Sequence, residues 1–467
     1  MKGRKTITDK PKISTYDVTP EVDILPDENS AMMDFIGIKS DNELFSDIPS
    51  AIRKRGISIN KGMSEYEVVK LAEEIGSANS IDNYTNFMGC GIYDRIIPSA
   101  VDSIIGRTEF LTSYTPYQAE FSQGMLQSLF EYQSLISDLM GMDMTNSSIY
   151  DGATALGEAV RMAHRINEKT EILIPENIYR SKMDVIHSYS AGLNLKFVTY
   201  SFEKGTGYLD LNDLSSKISA NTSAIICENP NSFGIIDPNV TKIQEIKGDA
   251  LLISYVDPIS LGTVVPPGSY GADISVAEGQ QLGIHRQFGG PLLGLFSFRK
   301  EYLRKSPGRI IGMTSDTKGK RAFVMTIQTR EQHIRREKAT SNICTNQALM
   351  ALASAVYLSV VGPDGLRKIA KVTISQAKKL RDAVSGIRGY DARILSGTSF
   401  SDVLVKMPKN PADVQKALYS RGILGPVPSS ALFSEVKGLG NTAFFSVTEK
   451  TTDAMIKHLV DSLGAIQ

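Results

Sequence analysis

Short runs of apolar residues recur through the middle of the chain, and polar or helix-forming stretches separate them. The runs are Ile172–Ile174, Leu195–Tyr200, Ala224–Cys227, Ala250–Tyr255, Ile274–Ala277 and Leu292–Phe298. Continuous apolar strands that alternate with helices are typical of a mostly parallel sheet covered by helices on both faces. Ligands of such sheets bind outside the carboxyl ends of the strands. The pattern therefore predicts an α/β protein with its site at that edge.

Apolar residues at helical spacing predict a helix after Ser122, which is a plausible N-cap, and Gly141 is expected to end it. A second helix is predicted to start near Thr154, and a long one to run from about Asn346 to Val361. Further predicted helices are Tyr66–Ile75, Ser375–Ser385, Pro411–Ser420 and Thr452–Leu463, and further strands are Phe400–Val405 and Ala443–Val447.

Four parts of the chain follow from these elements. They are a flexible N-terminal extension (1–30), a helical and loop-rich segment (31–112), a large α/β domain (113–345), and a linking helix with a small α+β domain (346–467). Each of the larger parts has the size of an ordinary structural unit. The α+β character of the last part comes from its predicted mixture of two strands and three helices.

Composition and charge narrow the function classes. The 467 residues are 42% hydrophobic and 22% charged, with 51 basic against 51 acidic residues, so no global charge draws the chain to nucleic acid or anionic membranes. No apolar run approaches the roughly 18 residues of a membrane span, and no targeting signal is recognisable. The 3 cysteines and 5 histidines are scattered, which predicts no metal site. We expect a cytoplasmic enzyme component.

Two segments could hold a phosphorylated cofactor. Asp151-Gly152-Ala153-Thr154 opens a helix, where free backbone N–H groups can bind phosphate, although an ordinary N-cap by Asp151 or Thr154 is the simpler interpretation. Asp257 follows a buried strand and could pair with the pyridinium nitrogen of pyridoxal phosphate. It is equally open that Asp257-Pro258 does no more than initiate a turn.

The lysine that such a cofactor needs is missing. In the common aminotransferase-like topology it lies shortly after the strand that follows the Asp. Here Glu278-Gly279-Gln280-Gln281 stands in that region, and no lysine occurs between Lys247 and Lys300. The sequence therefore predicts the cofactor scaffold without its anchoring nucleophile.

Polar and aromatic residues crowd the loop Ser113–Gly124, which contains Tyr114, Tyr117 and Glu120 around a proline. Such a loop could present hydrogen-bond donors and an acid or base to a pocket, or it could be a packed connection. The stretch Arg321–Lys338 is basic and could capture an anion, but a solvated or subunit-facing strip is the commoner case. Its charged residues include Arg330, His333, Arg335, Arg336 and Lys338.

Taken together, these segments resemble the N-terminal half of glycine dehydrogenase (decarboxylating), the P-protein family of the glycine cleavage system. The longest matching stretch is Thr329–Gln347. The other matching stretches are Asn86–Pro98, Ser113–Gly124, Ser148–Ala155, Glu228–Asn231, Asp257–Gly262, Gly271–Asp273 and Glu278–Gln280. The resemblance runs from about residue 30 to the C-terminus and weakens after about residue 365.

The resemblance implies an aminotransferase-like fold, that of pyridoxal-phosphate fold type I. It implies that the complex decarboxylates glycine on pyridoxal phosphate and passes the aminomethyl group to the lipoyl arm of the H-protein. In split forms of the family two different subunits pair as α2β2, and the partner subunit carries the lysine that holds the cofactor covalently. The chain is then the subunit without that lysine, inactive by itself.

Site residues are implied in the same way. Tyr114, Tyr117 and Glu120 are expected to reach the active site shared with the partner. Thr340 and Asn342 are weaker candidates for contact with the partner's cofactor phosphate. The degenerate cofactor site of this chain would comprise Asp151, Gly152, Thr154 and Asp257, which would bind nothing.

Two alternatives remain open at this point. The chain could be a stand-alone pyridoxal enzyme that uses Lys247 or Lys300, which reductive trapping and peptide mapping would detect. It could instead be a purely structural or regulatory subunit. The latter alternative predicts that Tyr114, Tyr117 and Glu120 do not affect turnover.

Overall fold

The computed structural model describes residues 28–53, 62–325, 332–433, 436 and 438–466 of the chain. The predicted extension therefore lies outside the described residues except for 28–30, which begin a helix. Also outside the described residues are Thr329, Arg330 and Glu331, which begin the segment Thr329–Gln347, and the side chain of His333.

The chain divides into two compact units, Met1–Asn79 and Ser80–Gln467. The first unit contains helices α1 (Glu28–Ile36) and α2 (Glu65–Ser77). A capping box starts α2, because the Ser64 hydroxyl accepts from the backbone N–H of Glu67 while the Glu67 carboxylate accepts from the Ser64 backbone. The helix predicted at Tyr66–Ile75 lies within α2.

Strands and helices alternate through the second unit. Its strands are β1 (Thr85–Asn86), β2 (Met144–Thr145), β3 (Glu171–Pro175), β4 (Lys196–Tyr200), β5 (Thr222–Asn229), β6 (Ile235–Ile236), β7 (Leu251–Val256), β8 (Ile274–Glu278), β9 (Gly294–Phe298), β10 (Gly312–Ser315), β11 (Arg321–Val324), β12 (Thr398–Ser399), β13 (Asp402–Lys406), β14 (Ile423–Leu424), β15 (Val427–Pro428) and β16 (Thr442–Ser446). Its helices are α3 (Ser99–Ile105), α4 (Thr108–Leu111), α5 (Gln123–Met140), α6 (Gly152–Asn167), α7 (Arg180–Ser190), α8 (Leu211–Lys217), α9 (Ile243–Ile246), α10 (Gln332–Arg335), α11 (Ala348–Ser385), α12 (Pro411–Tyr419), α13 (Ser429–Leu432) and α14 (Asp453–Gly464). The six apolar runs of the middle region form β3, β4, β5, β7, β8 and β9.

A seven-stranded sheet with the order β2-β9-β8-β7-β5-β3-β4 forms the centre of the second unit. The strands β4, β3, β5, β7 and β8 run parallel, and β9 is antiparallel to β8 and to β2. The mostly parallel sheet is thus as predicted. The short strand β2 and the hairpin of β10 and β11 have no matching apolar run, and the hydrophobic pattern does not predict them.

Helices cover both faces of the sheet. Since successive residues of a strand point to opposite faces, each central strand contributes side chains to two buried clusters. Ile225 of β5 and Leu252 of β7 belong to one buried cluster, to which α5 and α11 contribute. The next residues, Ile226 and Ile253, belong to a second cluster that includes residues of α6 and α7. Burial on both faces explains why these strands are continuous apolar runs.

Helix α11 is interrupted at Gly362, which has φ 63° and ψ 175° and precedes Pro363. The predicted end of the long helix therefore falls at the break, but helical structure resumes immediately, not near Ser375 as predicted. Among the described residues, α11 is the helix whose length and composition would allow it to cross a membrane. Its apolar residues pack into the cores on either side of the break, for example Ala351 and Leu380, which accounts for that composition.

The C-terminal region forms a three-stranded antiparallel sheet in the order β13-β16-β15. Val403 of β13 pairs with Phe445 of β16, and both lie in a buried cluster with Leu380, Val414 and Leu459 from α11, α12 and α14. The strands and helices predicted for this region are therefore present. Smaller pairings join β1 to β14 and β6 to β12.

One buried guanidinium connects the central sheet of the second unit to helix α11 and to the C-terminal region. Arg95 donates through Nε and Nη2 to Gln281 Oε1 at 2.9 and 2.7 Å, and through Nη1 to Thr373 on α11 at 2.9 Å. It also contacts Ser401 and forms an ion pair with Glu449 at 2.8 Å. The side chains of Arg95 and Glu449 are only 1% and 7% exposed, so neither charge has solvent as an alternative partner.

Replacing this guanidinium is expected to destabilise the second unit. Arg95→Met leaves the Glu449 carboxylate buried without its cation, which costs about 3–5 kcal/mol of unfolding free energy. Arg107→Met is the matched control, since its ion pair with Glu109 is exposed and its loss should change little. Urea denaturation measures both variants, and equal effects would contradict the role assigned to Arg95.

Candidate functional site

A cavity of about 60 Å³ lies at the carboxyl ends of β5, β7 and β8, the edge where the sequence predicts a ligand site. Its lining comes from the segment before α3, from α7, from the strand ends and from the C-terminal region. The charged and phenolic side chains in that lining are Tyr93, Tyr179, Lys182, Tyr255, Asp257, Glu278 and Asp402. The volume has room for a few water molecules or a solute of similar size.

The predicted phosphate-binding segment begins α6. Asp151 is the N-cap, and its Oδ1 accepts from the backbone N–H of Thr154 at 2.8 Å. The Thr154 hydroxyl in turn accepts from the backbone N–H of Asp151 at 3.1 Å. The N-cap interpretation is therefore the one observed, with Asp151 as the N-cap and Thr154 as the third residue of the helix. Gly152 approaches the sheet so closely that a Cβ at this position would lie 2.6 Å from the Tyr255 hydroxyl. Only glycine fits there without displacing a neighbour.

The Glu278 carboxylate fills the position in front of this helix. Its Oε2 accepts from the backbone N–H of Gly152 at 2.9 Å, and its Oε1 accepts from those of Gln280 at 2.9 Å and Leu293 at 3.4 Å. Glu278 is 8% exposed. Burial raises the pKa of Glu278 to about 7, although the three backbone hydrogen bonds and the helix start favour the anion. The sequence does not single out this residue as a site residue.

Asp257 is engaged on both carboxylate oxygens. Its Oδ1 accepts from the backbone N–H groups of Ile259 at 2.8 Å and Ser260 at 3.0 Å, which is the turn-forming role. Its Oδ2 accepts from Nε2 of Gln281 at 2.8 Å. Gln281 in turn accepts from Arg95, so Asp257 belongs to the hydrogen-bond network of Arg95, which connects the central sheet to the C-terminal region.

A lysine does reach the cavity, from an element that the sequence argument did not consider. Lys182 of α7 is buried, and its Nζ lies 2.5 Å from Glu228 Oε1. The same ammonium stands 3.8 Å from the ring centroid of Tyr255 and 4.9 Å from that of Tyr179, within the range of cation–π contacts. Lys182 is thus held as a paired cation.

The two lysines weighed from the sequence lie at the other edge of the sheet. Lys247 precedes β7 and contacts Asp273 at 3.2 Å, at the amino ends of the parallel strands. Lys300 follows β9, whose last residue, Phe298, pairs with Ile274 at the start of β8. The cavity is at the opposite ends of these strands, so neither lysine serves it.

A buried carboxylate closes the cavity from the C-terminal region. Asp402 accepts from the Tyr93 hydroxyl at 2.6 Å, from the Ser446 hydroxyl at 2.5 Å and from the backbone N–H of Cys90. Burial raises the pKa of Asp402, and these donors oppose the shift. The sequence gives no sign of this arrangement, because Cys90 and Tyr93 lie more than 300 residues from Asp402.

The predicted loop residues lie outside the cavity. Tyr114 and Tyr117 are 66% and 73% exposed, and Glu120 is exposed too. Among the described residues, their side-chain polar groups form no hydrogen bond. Phe121 beside them is 89% exposed, while Pro116 is buried and holds the loop against the protein. The loop thus presents an aromatic surface outward just before α5.

The segment before α11 is anchored from within. Ser341 is buried, and its hydroxyl donates to Glu158 of α6 at 2.5 Å. Next to it, Thr340 has a buried hydroxyl for which the described part of the chain offers no partner, and Asn342 is exposed. The described basic residues of the neighbouring stretch, including Arg335, are exposed, as the solvated or subunit-facing interpretation expects.

The fold defines the class of the protein. It is that of pyridoxal-phosphate fold type I, as in a glutamate decarboxylase of Lactobacillus brevis, which aligns with a TM-score of 0.63 over 90% of this chain and 96% of that chain. At 12% identity this likeness concerns the fold alone. The predicted fold class is confirmed.

Closer relatives identify the family. A crystal structure of glycine decarboxylase (P-protein) of the glycine cleavage system, in inhibitor-bound form, aligns with a TM-score of 0.83 at 34% identity, over 97% of this chain and 100% of that chain. A Thermoplasma acidophilum protein named probable glycine dehydrogenase (decarboxylating) subunit 1 is 56% identical over 94% of this chain and its own full length. The family model described as glycine cleavage system P-protein matches residues 22–463. The chain belongs to this family, as the sequence motifs predicted.

Pyridoxal phosphate is the cofactor that the fold class implies, and the cavity of this chain does not fit it. At the start of α6 the N–H of Gly152 already binds Glu278 and that of Thr154 binds Asp151, while Asp257 is committed to Gln281. The cavity lysine, Lys182, is committed to Glu228. The cavity volume of about 60 Å³ is also smaller than the roughly 150 Å³ of a cavity that holds a single benzene ring.

The raised pKa of Glu278 predicts a pH-dependent stability. The folded chain holds this proton up to about pH 7, whereas an unfolded glutamate releases it near its ordinary pKa of 4.5. The unfolding free energy of the wild type, relative to that of Glu278→Gln, should therefore fall by up to about 3 kcal/mol as the pH rises from about 4.5 to about 7. Above about pH 7 the difference should no longer change. Denaturation curves at several pH values measure it, with Glu120→Gln on the exposed loop as control. A difference that does not vary with pH would contradict this assignment.

Proposed function

We propose that this chain is the subunit without the cofactor lysine in a two-subunit glycine dehydrogenase (decarboxylating). The complex would decarboxylate glycine on pyridoxal phosphate and transfer the aminomethyl group to the lipoyl arm of the H-protein. The main support is that a chain with a pyridoxal-enzyme fold has its own cofactor position filled by its own side chains. The subunit 1 designation of its relatives supports the same conclusion.

The cofactor in this proposal is held covalently by the partner subunit, and this chain completes the partner's active site. Tyr114, Tyr117 and Glu120 are the residues proposed to do so. They are exposed on one loop and lack partners within the described residues, so their hydroxyl and carboxylate groups are free to orient a substrate or exchange its protons. An aromatic loop of this kind is also typical of the centre of a protein interface.

Thr340 and Asn342 are proposed, more weakly, to contact the phosphate of the partner's cofactor. The unpartnered hydroxyl of Thr340 supports this role, because buried polar groups normally have a partner. The hydrogen bond between Ser341 and Glu158 fixes the backbone between the two candidates. The site around Asp151, Gly152, Thr154 and Asp257 is proposed to bind no cofactor.

The assembly is proposed to be α2β2, located in the cytoplasm, with the lipoyl H-protein as a further partner and glycine as the substrate. The balanced charge of the chain, 51 basic against 51 acidic residues, gives no reason to expect nucleic acid or anionic membranes as partners.

Substitutions in the loop test the shared active site. Tyr117→Phe and Glu120→Gln should each lower glycine turnover of the complex reconstituted with the partner by at least about tenfold, since each removes one proton donor or acceptor. Light scattering should show an unchanged assembly. Tyr419→Phe, an exposed tyrosine on α12, is the matched control. Unchanged turnover in both loop variants would favour the purely structural or regulatory subunit.

The main alternative is a stand-alone pyridoxal enzyme, and Lys182 is the residue that would make it possible. We expect the isolated chain, incubated with pyridoxal phosphate and reduced with borohydride, to carry no label on Lys182, because its ammonium is paired with Glu228. Peptide mass spectrometry reads the result. Stoichiometric labelling of the Lys182 peptide in the wild type, together with no labelling of the Lys182→Arg variant, would contradict the two-subunit proposal.

A further inference from the structure

The start of α6 has the chemistry of an anion site. The helix is 16 residues long, and its first N–H groups have no partner within the helix. Such a terminus attracts negative charge through these donors and through the helix dipole. The group found in front of Gly152 is the carboxylate of Glu278, at 2.9 Å.

The carboxylate is held in the way a bound anion would be. Donors from three separate positions converge on it: Gly152 at the helix start, Gln280 in the turn after β8, and Leu293 before β9. The absence of a side chain at Gly152 makes the approach possible, since a Cβ there would lie 3.0 Å from the Glu278 Cα. Helix start and carboxylate are therefore fitted to each other.

We infer that Glu278 is a built-in replacement for the phosphate of a bound cofactor and excludes phosphate monoesters from the start of α6. This inference deepens the proposal of a degenerate cofactor site and rests on it. The carboxylate accepts from the Gly152 N–H and opposes the positive end of the helix dipole, which keeps the site complete without a ligand.

The same replacement keeps the surrounding segments together. Glu278 ends β8 and leads directly into Gln280 and Gln281. Gln280 donates to the backbone carbonyl of Tyr93, and Gln281 joins Asp257 to the Arg95 network. A bound cofactor commonly bridges such parts of a protein, and here one turn of the chain does so.

The experiment removes the carboxylate and supplies the ion it replaces. The full chain and its Glu278→Ala variant are titrated with inorganic phosphate at pH 8 and constant ionic strength, with sodium chloride as control. Calorimetry and thermal denaturation read the binding. Glu278→Ala should bind phosphate and gain a saturable rise of a few degrees in Tm. Wild type and Glu278→Gln, in which a side chain of similar size still fills the space, should show neither effect.

Each outcome bears on the inference. Phosphate binding by the wild type at the same affinity, or a folded Glu278→Ala that binds none, would overturn it. If Glu278→Ala does not fold, we expect phosphate or acetate to restore its folding where chloride at equal ionic strength does not, and failure of that rescue also overturns it. The proposed function is tested separately by turnover of the wild-type complex, so the two can fail independently.

Discussion

Ionisable side chains are buried together at the carboxyl edge of the central sheet, and burial obliges each to find its partner inside the chain. Lys182 is matched by Glu228, Glu278 by three backbone N–H groups, and Asp402 by Tyr93 and its neighbours. The partners come from α6, α7, the strand ends and the C-terminal region. Because a missing partner would leave a charge unsatisfied, these pairings determine how those elements meet.

Features of the fold that depend on local pattern could be predicted from the sequence. The six apolar runs form the central strands, and Gly141 ends α5 in a left-handed conformation. Ser122 occupies the predicted N-cap position, although its side chain makes no capping hydrogen bond. The hairpin of β10 and β11 was not predicted, because β10 is mostly exposed and β11 has a single buried residue, Phe323.

The site was less predictable because its contacts join distant parts of the sequence. The sequence has no lysine between Lys247 and Lys300, but Lys182 reaches the same cavity from α7, and its partner Glu228 lies 46 residues away. The contact between Gly152 and Glu278 spans 126 residues. Residue types alone suggested a phosphate cup at Gly152, whereas only the folded arrangement shows which anion stands in it.

The cavity and the loop place their side chains in opposite surroundings. In the cavity, the carboxylates and the ammonium are paired, and little volume remains for a ligand. On the loop, Tyr114, Tyr117 and Phe121 are largely exposed, although aromatic side chains gain most from burial. Evolutionary loss of a cofactor alone would account for the filled cavity but not for an outward aromatic loop. Under the proposed function another subunit would cover this surface, which would account for both features, because the chemistry that the cavity no longer supports would then take place where the loop is buried.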